Sequence, residues 1–403
     1  MINPKIIDYI FSSASIQRWN DYPRMVELVE LDKQAHKFII AYLIAKLEDN
    51  INFTHLIEAG IFEFLRRVVV TDIRPDVFRK ALQKKSREIN SWVVEKLRSS
   101  LEEIDDGKFL EKFEKFLENP NMYKKEKYIL KAASYLSTRW EFSIVYQTSQ
   151  FLSDIEDVKK AVEDEIEDYD ELLGVRKIAL NKKLNKVVDL SGRLRFQKRW
   201  AQTPRIPETS VLGHMLTVAI FSYFYSLKIK ACDKRLQNNF FTALFHDLPE
   251  ALTRDIISPV KYSVNELSSI IAEYEVAKIE DDILPNIPES IREEFSYLLG
   301  LYNGKKEEFS NKIREEGKII ELDKAEDLNK YNIDKFDLID GIALKQCDKL
   351  SAFVEASLSI AHGIKSKELT GGKKTTLESL KNINGVDFKQ VAYEIDKYLE
   401  ENE

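Results

Sequence analysis

A chain of 403 residues with 44% hydrophobic and 32% charged residues has the composition of a folded globular protein, not a disordered one. Its net charge is −7 with both signs finely interleaved, which leaves no basic stripe for a nucleic-acid polymer. The apolar runs are short and broken by charges, so no membrane span is expected, and the first residues do not read as a signal peptide.

The two cysteines, Cys232 and Cys347, stand outside any paired motif, and free thiols in a reducing cytoplasm are expected. Only 13 glycines and 10 prolines occur, and long stretches carry apolar residues at helical spacing. An all-α fold follows. The length allows two domains.

In chain order, a short amphipathic segment ends in Ile16-Gln17-Arg18-Trp19. Helices are expected over 31–47, 55–70 and 76–104, with a break at 72–75. Asp105-Asp106-Gly107 and Asn119-Pro120-Asn121 end the next two, and 123–151 is again helical in pattern. Residues 153–190 are dense in charge and are expected to form a connecting helix between domains 1–152 and 191–403.

From residue 191 the pattern restarts. Phe196-Gln197-Lys198-Arg199-Trp200 echoes the Ile16–Trp19 run, and residues 244–256 align without gaps on 61–73. Residues 344–351 resemble 130–137. A tandem duplication of one helical domain is the expected organisation. The halves differ where chemistry would sit: Glu63 and Phe64 stand at His246 and Asp247, Arg67 at Glu250, and Ser134 at Asp348. His36 is the expected counterpart of His214. The first half is expected to hold no metal.

The second half gathers His214 in an apolar helix, His246-Asp247, and Asp348 among Leu344, Leu350 and Phe353. A carboxylate among core residues is costly unless paired, protonated or bound to a cation. One metal centre accounts for all four residues together; imidazole nitrogens beside carboxylate oxygens are a set that divalent metals accept.

The order His, His-Asp, Asp resembles the signature of the HD-domain phosphohydrolases. Arg199-Trp200, His214, His246 to Asp255, Pro259-Val260-Lys261 and Lys345-Gln346-Cys347-Asp348 are similar to its bacterial 5′-deoxynucleotidase branch. The resemblance implies one divalent ion (manganese, cobalt, zinc, magnesium or iron) held by His214, His246, Asp247 and Asp348. It implies Glu250 as acid or base, Asp255 as a carboxylate meeting water or substrate, and Arg199 and Trp200 facing phosphate and sugar. Other readings stand beside these. Glu250 could pair with Arg254, and Asp255 could cap a following helix. Arg199 and Trp200 could be a packing pair, and Lys261 either reaches a phosphate or is solvated.

The implied function is release of phosphate from a (deoxy)nucleoside 5′-monophosphate. The alternatives are a tri- or cyclic-nucleotide hydrolase, and a nucleotide sensor with weak hydrolysis or none. The expected partner is a small nucleotide, with the two halves forming an intramolecular pseudo-dimer. Roughly thirty extra residues between Asp247 and Asp348, within 264–335, are expected to cover the pocket.

Overall fold

The computed structural model describes residues 2–71, 73–256, 264, 266–323 and 327–402. It is helical throughout, apart from small antiparallel pieces between 301 and 340 and near 385. In the first half the helices are α1 (Lys5–Ser12), α2 (Glu30–Ala45), α3 (Phe53–Val70), α4 (Pro75–Leu101), α5 (Lys108–Glu118) and α6 (Lys124–Ser149). Three more follow: α7 (Ile155–Asp164), α8 (Leu173–Ala179) and α9 (Lys183–Arg193).

The second half contains α10 (Val211–Lys228), α11 (Asp233–Phe245), α12 (Glu250–Thr253), α13 (Leu267–Lys278) and α14 (Glu289–Leu298). Beyond the strands come α15 (Gly341–Ala361), α16 (Lys367–Ser379) and α17 (Phe388–Glu401). Among the described residues no helix is long and apolar enough to cross a membrane.

Two helices organise the packing. Every residue of α2 is buried, and so is nearly all of α10. The second half of α2 and most of α10 are apolar all round and so sit inside the protein, and α2 and α10 pack on one another. Ser210 caps α10 by accepting the Gly213 N–H, and its hydroxyl donates to Asp32 Oδ1 at 2.6 Å, tying the start of α10 to α2. A single apolar core runs through both halves, with Tyr42 against Phe241 and Phe245, and Phe38 against Phe240.

The expected single connecting helix over 153–190 is corrected to α7, a 3₁₀ turn (Glu165–Tyr169), α8 and most of α9. Charge density predicted solvent exposure there. Yet Ile155, Val175, Ile178, Leu184 and Val187 are buried, because each short helix turns an apolar edge inward.

The same local geometry occurs twice. Gln17 bridges Val29 and Lys198 bridges Ser210, both antiparallel. The Arg18 N–H donates to Leu28 O at 2.7 Å, and the Arg199 N–H to Thr209 O at 2.9 Å. Trp19 and Trp200 have φ of 56° and 57°. Trp19 Nε1 donates to Glu141 at 3.2 Å; Trp200 Nε1 donates to Glu355 at 2.9 Å.

In the register of those bridges, Lys33 and not His36 stands at the place of His214. Lys33 Nζ donates to Ser134 Oγ at 2.5 Å, where His214 Nε2 lies 3.0 Å from Asp348 Oδ1. His36 sits further along α2, meeting Val188 O and Arg195. Matching histidine to histidine by identity misplaced the counterpart; backbone pairing sets the register.

Candidate metal centre and its surroundings

His214 lies in the first turn of α10, His246 directly follows α11, and Asp348 is on α15. Although these positions are far apart in sequence, packing of the three segments brings one donor atom from each within 4.8 Å of the others. Asp247 Oδ2 joins them, 3.0 Å from His246 Nε2 and 4.0 Å from His214 Nε2.

The backs of both rings are held. His246 Nδ1 is 2.7 Å from Ala243 O, so that nitrogen carries the proton and Nε2 presents its lone pair. His214 Nδ1 is 3.1 Å from Ser351 Oγ and 3.6 Å from Glu355 Oε1. His246 Nε2 is close to Asp247, yet among the described residues it makes no well-directed hydrogen bond. Two convergent imidazole nitrogens, two carboxylates and an unpartnered buried Nε2 fit a divalent cation of borderline hardness.

The electrostatics agree. Burial opposes the charge of Asp247, but His246, His214 and Arg199 outweigh it and hold the carboxyl well below its usual range. Asp348 is likewise lowered: burial acts against it, while its hydrogen bond to His214 prevails. For His214, burial and Arg199 disfavour the proton, but Asp348 and Glu355 prevail and push its pKa up to about 9. A cation taken up here must displace that proton.

Around this cluster lie the other residues singled out from sequence. Glu250 is not paired with Arg254 in the way its spacing allowed. Its Oε2 is buried without a hydrogen-bond partner among the described residues. Burial first, then the charges of Asp247 and Asp255, raise its pKa well above the ordinary value. Arg199 Nη1 is 3.8 Å from Asp255 Oδ2, and its Nε, 3.8 Å from Glu355, makes no hydrogen bond among the described residues. Trp200 packs its ring on α16, where a Cβ on Gly372 would come within 2.6 Å of it. Lys261 and the stretch that Asp255 could cap lie outside the described residues.

Sequence reasoning missed Glu355. This fully buried carboxylate accepts from Trp200 Nε1 at 2.9 Å and Thr209 Oγ1 at 2.8 Å, and lies near His214, Arg199 and Arg205. Its signal was present: an acid two turns after Asp348 on an apolar helix shares its face. Gln197 was also missed. Its side chain donates to Glu250 O at 2.8 Å and accepts from the Asp255 N–H at 3.1 Å, fastening the loop of Arg199 to the Glu250–Asp255 turn.

Residues 191–376 match the model of the HD domain family. A curated 5′-deoxynucleotidase from Vibrio atlanticus (strain LGP32) is 31% identical over 122 residues, covering 30% of this chain. The chain spans 62% of the length of that relative. Among solved structures, an HD-domain phosphohydrolase from Listeria innocua aligns at 18% identity with a TM-score of 0.36, covering 54% of this chain and 85% of that one. Residues 191–376, the stretch that matches the HD domain family model, contain every side chain of the cluster just described.

Proposed function

We propose that the chain is a metal-dependent phosphohydrolase of small nucleotides, releasing phosphate from (deoxy)nucleoside 5′-monophosphates. The observation that carries this reading is the convergence of His214, His246 and Asp348, with Asp247 alongside, in a buried corner of the second half. These four would hold one divalent ion, which when bound supplies Lewis acidity toward a phosphoryl oxygen and a water of lowered pKa. The name of the Vibrio relative supports the choice of substrate.

The chain's own residues have distinct tasks in this reading. Arg199 meets the phosphate with a planar two-pronged donor; its Nε–H lacks a hydrogen-bond partner among the described residues, which leaves it free to donate to a phosphate oxygen. Glu250, whose pKa is raised by burial and two neighbouring carboxylates, is suited to hand a proton to the leaving oxygen. Asp255 balances Arg199 and orients water or sugar, and Trp200 forms a wall of the pocket. Glu355 holds Trp200 and His214 in place.

The first half, residues 1–152, is in this reading a degenerate copy that completes the packing surface of the second across α2 and α10, with 153–190 as connector and 191–403 as the active domain. Lys33–Ser134 at the place of His214–Asp348 supports a scaffold without metal. Two unpaired thiols suit a reducing compartment such as the cytoplasm.

Metal analysis of the purified protein, with a phosphate-release screen over mono-, tri- and cyclic nucleotides, tests the proposal. Bound divalent metal and release from monophosphates are expected. Triphosphate or cyclic substrates cleaved in preference would move the reading to another hydrolase class. No turnover of any nucleotide by the metal-loaded protein would defeat it.

A further inference from the structure

Residues 301–306 fold into a hairpin, and the chain after it is fixed to α15, the helix of Asp348. β1 (Leu301–Tyr302) and β2 (Lys305–Lys306) pair antiparallel, with Leu301 opposite Lys306. The chain then passes over the start of α15. A Cβ at Gly341 would collide with the Ser310 carbonyl, so only glycine lets the backbones approach this closely. Asn311 Oδ1 accepts the Ile342 N–H at 3.2 Å, and β3 (Asn311–Glu315) lies between β4 (Lys318–Glu321) and β5 (Ile339–Asp340). Phe309 lies with its ring centroid 5.8 Å from that of His246. The hairpin is therefore held in register with both the His246 and the Asp348 segments.

Lys306 is carried on this hairpin, its side chain only 7% exposed, with Nζ 3.1 Å from Glu308 and 3.6 Å from Glu275 of α13. That helix packs on α12, which begins at Glu250. We propose that Lys306 is a second phosphate-binding cation, approaching the substrate from the Glu250 side of the centre while Arg199 approaches from the Asp255 side. This rests on the phosphohydrolase reading above and adds the group that recognises a small phosphomonoester.

The long-range electrostatics are in keeping with that position. Burial works against the charge on Lys306, but Glu308, Glu275 and Asp247 outweigh it and raise its pKa above the ordinary value. Lys306 in turn is among the cations that favour ionisation of Glu250. A lysine held charged between two carboxylates can exchange one of them for a phosphate oxygen without moving the hairpin.

The test uses full-length protein loaded with manganese and inorganic phosphate as the probe in calorimetry. In Lys306→Met the phosphate Kd and the KM for a nucleoside monophosphate should both rise about tenfold, with kcat changed less. Lys306→Arg should recover most of that loss, and metal content should match the parent. If Lys306→Met misfolds because Glu308 is left unpaired, the double variant Lys306→Met/Glu308→Gln removes both charges and should show the same weakened phosphate binding. A folded variant that binds phosphate as tightly as the parent makes Lys306 a mere strut and overturns this inference alone. A metal-loaded parent that neither binds phosphate nor hydrolyses a phosphomonoester overturns the reading beneath it as well.

Discussion

The indole N–H of Trp200 donates to Glu355 Oε2 across 2.9 Å, joining the loop that carries Arg199 to the helix that carries Asp348. The other oxygen of the same carboxylate accepts from Thr209 and lies 3.6 Å from His214 Nδ1. One buried acid thus holds the His214 imidazole and the Arg199–Trp200 loop in a common frame.

Glu355→Gln preserves shape and removes the charge. Divalent metal should bind about 10- to 100-fold more weakly, the usual cost of losing an outer partner of a ligating histidine. Titration with a metal-sensitive dye measures it; an unchanged Kd would make Glu355 purely a packing residue.

Loss of the centre itself should be more severe. His246→Ala removes the ligand whose Nδ1 is anchored on Ala243 O, so bound metal and phosphate release should both disappear while far-UV circular dichroism stays as in the parent. Prolonged chelation of the parent should reproduce the loss of activity, and added manganese should reverse it.

Arg199→Lys keeps the charge and loses the fork. The KM for a nucleoside monophosphate is expected to rise roughly tenfold or more, because a point cation cannot copy a two-pronged contact. Steady-state kinetics over a substrate series reads this; equal KM values would place the phosphate elsewhere.

In the first half, Lys33 offers a test of stability that is independent of catalysis. Burial is the largest influence on it and lowers its pKa from 10.5 to about 7, with Glu30 opposing that fall. Between those two values the unfolded chain holds a proton that the folded chain has released. Lys33 therefore makes stability fall as pH drops from about 10.5 towards 7, and adds no further slope below that. Lys33→Met should stabilise the fold by on the order of 1–3 kcal/mol near neutral pH, with a gain that shrinks as pH approaches 10. Denaturant melts at pH 7.5 and pH 10 with equal gains at both would contradict this.

The residues themselves determined the helical class and singled out the candidate ligands. Helical spacing is a local property, and a His-Asp pair, a lone histidine and a lone aspartate on apolar faces are each anomalous enough to be recognised where they stand. Arg199, Trp200, Glu250 and Asp255 were legible as neighbours of that set through their resemblance to a family pattern. Only the tertiary structure decided which atoms face one another. The bridge between Gln17 and Val29 put Lys33 at the place that identity had given to His36. Packing of α15 on α10 made Glu355 the partner of His214, and the close approach of Phe309 and Ser310 to Gly341 set the Phe309 ring beside His246. Those outcomes depend on contacts between segments far apart in the chain, whose register is set by how buried surfaces interlock and not by any spacing along it.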